Sequence, residues 1–305
     1  MATKSKLFSQ LKDSRPRLIV ITGPTGVGKT AAAIALARQL GCHIIGADSR
    51  QLYREMPVTT AMPTAAELAA VPHHMVACRS VTEPCSAAAY ADEVLDMLPR
   101  VFAAGHGQAI LCGGSMMYID AVTRGIDAVP DIRPEVRQAV LDDYERLGLE
   151  AMLDELRRLD PRHYAVVDRR NPRRVLRAVE VCRQTGSPYS SLLTGCEAPR
   201  DFDIVKFALN LPRPELFERI NRRVDAMVEA GMVDEVRRLL PLRGLSTLDT
   251  VGVREIFAAF DGTMTLPEAV ERVKKNTRVY AKKQLTWLRR DPSVRWLDAH
   301  SALCI

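Results

Sequence analysis

Long apolar runs are missing from this chain. No stretch approaches the roughly 20 residues a helix needs to cross a bilayer, so a membrane-spanning role is not expected. The segment from Met1 to Arg17 carries basic residues but no apolar h-region, so it reads as a frayed tail, with a short organellar address as the alternative, rather than a secretory signal. Cysteines are present but never paired: the seven (Cys42, Cys78, Cys85, Cys112, Cys182, Cys196 and Cys304) form no C-x-x-C motif and no Cys/His spacing suited to zinc. Odd in number and set among apolar neighbours, they are expected to be reduced, partly buried thiols, which points to the cytoplasm. Internal repeats and low-complexity tracts are absent as well, which sets aside solenoids and disordered linkers.

What is present describes an ordinary globular protein. The 305 residues are 47% hydrophobic and 26% charged, enough for a full core and about two domains. Net charge is +6. The excess is mild, so its local clustering is the useful signal.

The chain is organised around Gly23-Pro24-Thr25-Gly26-Val27-Gly28-Lys29-Thr30, which fits G-x-x-x-x-G-K-[ST], the phosphate-binding P-loop. The β-branched run Leu18-Ile19-Val20-Ile21 before it reads as a buried parallel strand. Ala31 to Leu40 after it is strongly helix-forming, with Gly41 placed as a stop. Strand, loop and helix therefore come in the order a P-loop requires. Backbone N–H groups at such a helix start form an anion-binding concavity. Lys29 would reach the phosphates and the Thr30 hydroxyl would help hold Mg²⁺.

A second strand is expected over His43 to Ala47, delivering Asp48-Ser49-Arg50-Gln51 at its carboxyl end, where open α/β sheets bind ligands. Asp48 is thus a candidate catalytic carboxylate; as a cap or turn residue it would be merely structural. Residues Met56 to Pro72 read as loop with one short helix around Ala65 to Ala70. His73 and His74 lack partners at metal spacing, so a hydrogen-bonded structural role is expected. Ser86 is placed to cap a helix reaching Phe102. The strand Ala109-Ile110-Leu111-Cys112 runs into Gly113-Gly114-Ser115, where a P-loop kinase would carry a metal-holding Asp. The two glycines are expected to let backbone approach a ligand, with Ser115 supplying a neutral hydrogen-bonding group.

Beyond Asp131 helices dominate: Pro134–Leu147, Leu149–Leu159 and Arg173–Gln184. Eight arginines face two aspartates between Arg157 and Arg177. Asn171 and Pro172 suit the N-cap and first position of the last of these helices, putting Arg173, Arg174 and Arg177 in its first turns, with Val175, Val179 and Cys182 as an apolar stripe. Arginine near a helix start opposes the dipole. Either nucleic-acid phosphates compensate these charges, or acids elsewhere in the protein do. Asp203 to Leu209 returns to strand character. Arg219 and Arg223 then lie one turn apart on an amphipathic helix, with one of them free to point at the site. A final helix, Pro267 to Arg290, has eight basic residues and no acid between Arg272 and Arg290, interleaved with Tyr280 and Trp287. It is read as a nucleic-acid-facing surface, although Trp287 could equally be a core residue.

Taken together, these stretches resemble the tRNA dimethylallyltransferase family. The resemblance rests on the P-loop, Asp48 to Arg54, Val71-Pro72-His73-His74, Gly113 to Tyr118, Asn171 to Val181, and Thr277 to Trp287. It spans about Leu18 to Arg290. It implies transfer of a dimethylallyl group from its diphosphate to N6 of an adenosine beside the tRNA anticodon, with Mg²⁺ present. By that resemblance Asp48 is the general base, Ser115 stands at a threonine position near the reacting groups, and Arg223 lies on the diphosphate side with residues Gly23 to Thr30. The tRNA contacts it implies are Asp48, Ser49, Arg50, Gln51, Ser115, Arg137, Arg173, Arg174, Val175, Leu176 and Arg177. A P-loop invites the expectation of ATP; the resemblance puts a prenyl diphosphate in that place. A monomer is expected.

Some positions depart from the family pattern. Thr59 and Met62 stand at the places of a glycine and a lysine, and Val253 at that of a tyrosine. No C-terminal zinc extension of the eukaryotic kind appears, so the chain looks bacterial in type. Three other readings stay open: an adenylate isopentenyltransferase acting on free AMP, a small-molecule P-loop kinase, and a non-catalytic RNA-binding module. The arginine clusters argue against the first, Gly113-Gly114-Ser115 against the second, and Lys29, Thr30 and Asp48 together against the third. The expected fold is α/β: a P-loop NTPase-like parallel sheet flanked by helices, with an inserted all-helical domain. Its expected divisions are a tail (1–16), a P-loop core (17–130), a tRNA-binding insertion (131–201) and a completing segment (202–305).

Overall fold

The computed structural model describes residues 15–127, 129–195 and 197–302. Nearly all of the expected tail, and Cys196 and Cys304, lie outside the described residues. The described chain separates into two compact units, Gly125–Ala198 and the remainder.

The larger unit is a six-stranded parallel sheet in the order β3-β2-β4-β1-β5-β6. Its strands are β1 (Arg17–Thr22), β2 (His43–Gly46), β3 (His73–His74), β4 (Gln108–Cys112), β5 (Asp203–Asn210) and β6 (Val294–Asp298). The helices, in chain order, begin with α1 (Lys29–Leu40), α2 (Ala65–Ala70), α3 (Ala87–Ala104) and α4 (Met116–Thr123). The smaller unit contributes α5 (Pro134–Leu159), α6 (Pro161–Val166), α7 (Pro172–Thr185) and α8 (Tyr189–Leu192). The larger unit resumes with α9 (Arg213–Glu229), α10 (Met232–Arg238), α11 (Val253–Phe260), α12 (Leu266–Leu288) and α13 (Ala299–Ala302).

Side-chain alternation along β1 accounts for the two-faced core. Leu18 and Val20 point into one apolar cluster with Tyr90, Val94 and Leu98 of α3, while Ile19 and Ile21 point into another with Ala33 and Ala37 of α1. A strand covered on both faces has no polar side, which is why its sequence is a continuous apolar run. Pairing with β4 on one side and β5 on the other puts β1 at the centre, so its carboxyl end delivers the P-loop to the middle of the sheet edge.

In the smaller unit, α5 is interrupted at Gly148, whose φ of 80° and ψ of 178° are not helical. The two helices expected there on either side of that glycine are therefore separate in structure. Val140, Leu156, Val175 and Val179 form this unit's own core. Its limits differ from the expected 131–201. Asp127 accepts N–H bonds from Thr194 and Gly195 (2.9 Å each), which ties the entering chain to the leaving chain early. Arg200 instead donates to the carbonyls of Val122 (2.8 Å) and Ala121 (3.0 Å), so it belongs to the larger unit.

Candidate active site

The site is a cavity of about 470 Å³ at the carboxyl edge of the sheet. Thr25, Gly26, Gly28, Lys29 and Thr30 line one side, and Asp48 with Gln51 line another. The helix that follows the P-loop starts at Gly28, whose φ of 102° excludes other residues without strain. Gly28 has no side chain to cap α1, so the first N–H groups of that helix face the cavity as an anion would require.

Lys29 donates to the carbonyls of Gly23 (3.1 Å) and Pro24 (3.0 Å). Burial of its ammonium lowers its pKa to about 8, with Cys112 and Asp48 opposing and Arg223 adding to the drop. Arg223 donates to the Thr25 hydroxyl at 2.6 Å, and burial lowers its pKa while the Asp48 carboxylate opposes. Val27 is fully buried in the core beneath α1, leaving only its backbone for a ligand.

Asp48 makes a turn contact and also lines the cavity. Its Oδ1 accepts the Arg50 N–H at 3.0 Å, a turn contact, yet the side chain lines the cavity and its charge bears on Lys29, Arg223 and Tyr280. A carboxylate has two oxygens, so one can fix the rotamer while the other works. Gln51 is braced against the carbonyls of Thr60 (3.1 Å) and Ala61 (3.0 Å). Arg50 turns away from the expected RNA role: its guanidinium donates to the carbonyls of Thr247 (2.7 Å) and Asp249 (3.3 Å).

Ser115 is buried and does its work through Ser49. Its hydroxyl accepts the Ser49 N–H (2.8 Å) and donates to the Ser49 hydroxyl (3.1 Å), joining the ends of β2 and β4. It precedes α4 but makes no side-chain cap there. The expectation for Gly113 and Gly114 needs correcting, because what approaches them is the protein itself. A Cβ on Gly113 would fall 2.0 Å from the Ala47 carbonyl oxygen, and one on Gly114 would fall 2.4 Å from Gln284 Nε2.

Gln284 was missed as a site residue in its own right. Its Oε1 accepts the Thr25 N–H and its Nε2 donates to the Gly114 carbonyl, both at 2.8 Å, so one amide fastens the P-loop to the loop after β4. The available signal was a lone amide in the buried stripe Ala269, Val273, Thr277, Ala281, Gln284 and Leu288 of α12. Tyr280, expected on an RNA-facing surface, lines the cavity. Burial there, then the Asp48 carboxylate, push its pKa up to about 12, against smaller opposing effects of Arg50 and a Ser115 hydrogen bond. Trp287 donates from Nε1 to Asp120 (2.9 Å), an internal contact.

His43 Nδ1 and His74 Nε2 lie 3.0 Å apart, and His73 Nδ1 sits 2.8 Å from the Val71 carbonyl, in line with a structural reading. Among the described residues no three His, Cys, Asp or Glu side chains gather into a metal site. The Thr59 and Met62 departures fall in a loop held by Glu235, which accepts the N–H groups of Val58 (2.9 Å) and Thr59 (2.7 Å).

In the helical unit, Arg173 and Arg174 are exposed on the first turn of α7, as a polyanion surface needs. Val175 and Leu176 are buried in that unit's core, so their side chains cannot touch RNA. Arg137 and Arg177 lie 3.7 Å from opposite oxygens of the buried Glu180.

A cavity of this make defines an α/β protein of the P-loop class with a carboxylate beside the loop and glycine, not an acid, after β4. Residues 51–291 match the family model for IPP transferase. The chain is 47% identical over 281 residues to tRNA dimethylallyltransferase 1 of Bacteroides thetaiotaomicron, covering 92% of this chain and 91% of that one. It is 50% identical over 279 residues to tRNA dimethylallyltransferase 2 of Porphyromonas gingivalis, covering 92% and 93%. Among solved structures, the full-length tRNA isopentenylpyrophosphate transferase of Bacillus halodurans is similar at a TM-score of 0.67 and 36% identity, over 93% of this chain and 90% of that one. A eukaryotic dimethylallyltransferase solved acting on tRNA is similar at 0.79 and 25%, over 93% and 74%. The chain belongs to the IPP transferase family.

Proposed function

We infer that the protein is a tRNA dimethylallyltransferase: it moves a dimethylallyl group from dimethylallyl diphosphate to N6 of adenosine 37, beside the anticodon, and releases pyrophosphate. The observation that carries this reading is the sharing of one cavity by the P-loop and Asp48. It joins a cradle for the leaving group to a base for the acceptor.

The allylic C–O bond breaks with its electron pair going to the diphosphate oxygen. Charge grows there, and the α1 N-terminus, Lys29 and Arg223 stabilise it. The exocyclic amine forms the new N–C bond and gives its proton to Asp48. Gln51 and Tyr280 border the space where a flipped base would sit, since a base within an RNA loop cannot otherwise reach the cavity. The Thr30 hydroxyl suits a Mg²⁺ that arrives with a diphosphate, because Mg²⁺ needs few protein ligands and keeps its waters. Bound there, Mg²⁺ would neutralise part of the diphosphate charge. Arg173 and Arg174 are offered to the phosphates of the anticodon stem-loop. The reading puts the protein in the cytoplasm with its tRNA.

A transfer assay tests this. Purified protein, Mg²⁺ and dimethylallyl diphosphate with a labelled prenyl group are mixed with unmodified tRNA or with free AMP. Label in tRNA at an adenosine beside the anticodon is expected. Label in AMP alone would replace this reading with the adenylate isopentenyltransferase, and ATP consumption without label transfer would replace it with a kinase.

A further inference from the structure

The mechanism above uses one arginine of α9, Arg223. A second, Arg219, lies one helical turn earlier and lines the same cavity. It reaches over Gly28, the residue that starts α1: a Cβ on Gly28 would sit 3.4 Å from Arg219 Nη2. Among the described residues Arg219 makes no hydrogen bond or ion pair. Its neighbour Arg222 does, with Glu218 at 3.2 Å.

That lack of a partner is informative because of where Arg219 lies. Like charges at i and i+4 repel, and Arg222 and Lys29 add two further cations to the same walls. The carboxylates lining the cavity are Asp48 and Glu67, and Glu67 is already engaged at Thr64, accepting the N–H (2.8 Å) and the hydroxyl (3.0 Å). Cations gathered about a helix N-terminus, with one carboxylate left to balance them, favour a multivalent anion.

We propose that Arg219 is a diphosphate-binding residue: it closes over the N-terminus of α1 and holds the leaving diphosphate there. This rests on the reading of the cavity as a diphosphate site. A guanidinium offers a planar pair of donors to phosphate oxygens, which a lysine at the same place would not reproduce. Arg223 is pinned at Thr25, whereas Arg219 is held by nothing, so Arg219 is the arm left to engage the anion and to release it as product.

Calorimetric titration of the full chain with inorganic pyrophosphate and Mg²⁺ at pH 7 tests the proposal. Arg219→Ala and the near-isosteric Arg219→Gln are expected to lose about tenfold or more in affinity, the size of one charge-assisted contact. Arg219→Lys should keep part of what they lose. Affinity for tRNA should stay within about twofold in all three. Pyrophosphate affinity within about twofold of wild type in Arg219→Ala and Arg219→Gln, with folding verified by circular dichroism, overturns the proposal. Binding is read without turnover. A wild-type protein that holds pyrophosphate through Arg219 yet prenylates no tRNA would therefore sink the proposed function and leave this assignment standing.

Discussion

Positive charge is handled in opposite ways by the cavity of the α/β unit and by the helical unit. In the α/β unit Lys29 and Arg223 are desolvated, their charged forms are disfavoured by burial, and Asp48 is the acid that bears on both. In the helical unit several arginines are matched by acids: Arg183 holds Glu155 through two bonds of 2.7 Å and reaches Asp143 at 2.9 Å, while Arg137 and Arg177 share Glu180. A site for a small multivalent anion needs a few cations stripped of water and aimed inward, because each is then worth more to the ligand. A surface for a long polyanion needs cations in water. There, pairing with a local acid removes an arginine from the binding face and turns it into structure. The clustering between Arg157 and Arg177 therefore overstates the free charge: near the start of α7, Arg177 is met from within by Glu180.

The sharpest way to break the comparison is to remove the acid among the buried cations. Asp48→Ala is expected to lower kcat by two to four orders of magnitude, the usual range for a general base, while tRNA affinity hardly changes. Single-turnover transfer at saturating substrate measures it. An unchanged rate would return Asp48 to its turn contact with Arg50 alone.

Next in size is a buried acid that pairs with no cation among the described residues. Glu235 is 2% exposed and accepts the N–H groups of Val58 and Thr59 with separate oxygens. Glu235→Gln keeps the shape, but replaces one acceptor with a donor facing an N–H. A cost of about 2 kcal/mol is expected, within the range for an unsatisfied buried group. Thermal unfolding would show it as a drop of several degrees. No change in Tm would mean that the 57–63 loop is held otherwise.

A smaller effect follows from Lys29. Its protonated form is the one that holds a diphosphate, and a bound anion raises its pKa above the value of about 8 in the free protein. Affinity for dimethylallyl diphosphate should be flat below pH 8 and fall by up to tenfold per unit above it. Arg at this position stays charged, so Lys29→Arg should flatten the profile. A wild-type profile without a break near pH 8 would mean that Lys29 does not meet the diphosphate.

Local signals account for what the sequence alone made plain. The P-loop flanks, the Ser86 cap that accepts the Ala89 N–H, and the break at Gly148 each depend on a few neighbouring residues. The partners of the site residues do not. Gln284 meets Thr25 across 259 positions, Trp287 meets Asp120 across 167, and Arg50 meets Thr247 across 197. Residue type foretold that these groups would bond, but not to what. Gly113 and Gly114 show the limit well. The need for glycine was visible, but the crowding atoms belong to Ala47 and Gln284, which only the folded sheet brings near.

The smallest expected effect separates the arginines of α7 from one another. Arg174 is exposed and without a side-chain partner among the described residues, whereas Arg177 is half-buried and donates to the Pro130 carbonyl at 3.3 Å besides pairing with Glu180. If Arg174 meets an RNA phosphate, Arg174→Ala should reduce the slope of log K against log salt by about 0.7 to 0.9, one counterion's worth, with stability unchanged. Arg177→Ala should move the slope less and lower Tm slightly. Glu180→Gln should do the reverse of both: with the shared acid gone, Arg137 and Arg177 are released to the solvent face, and the slope should steepen. Filter binding across a salt series reads all three. Equal slope losses in Arg174→Ala and Arg177→Ala would show that pairing to Glu180 does not keep an arginine from RNA, and the contrast between the two units would then rest on burial alone.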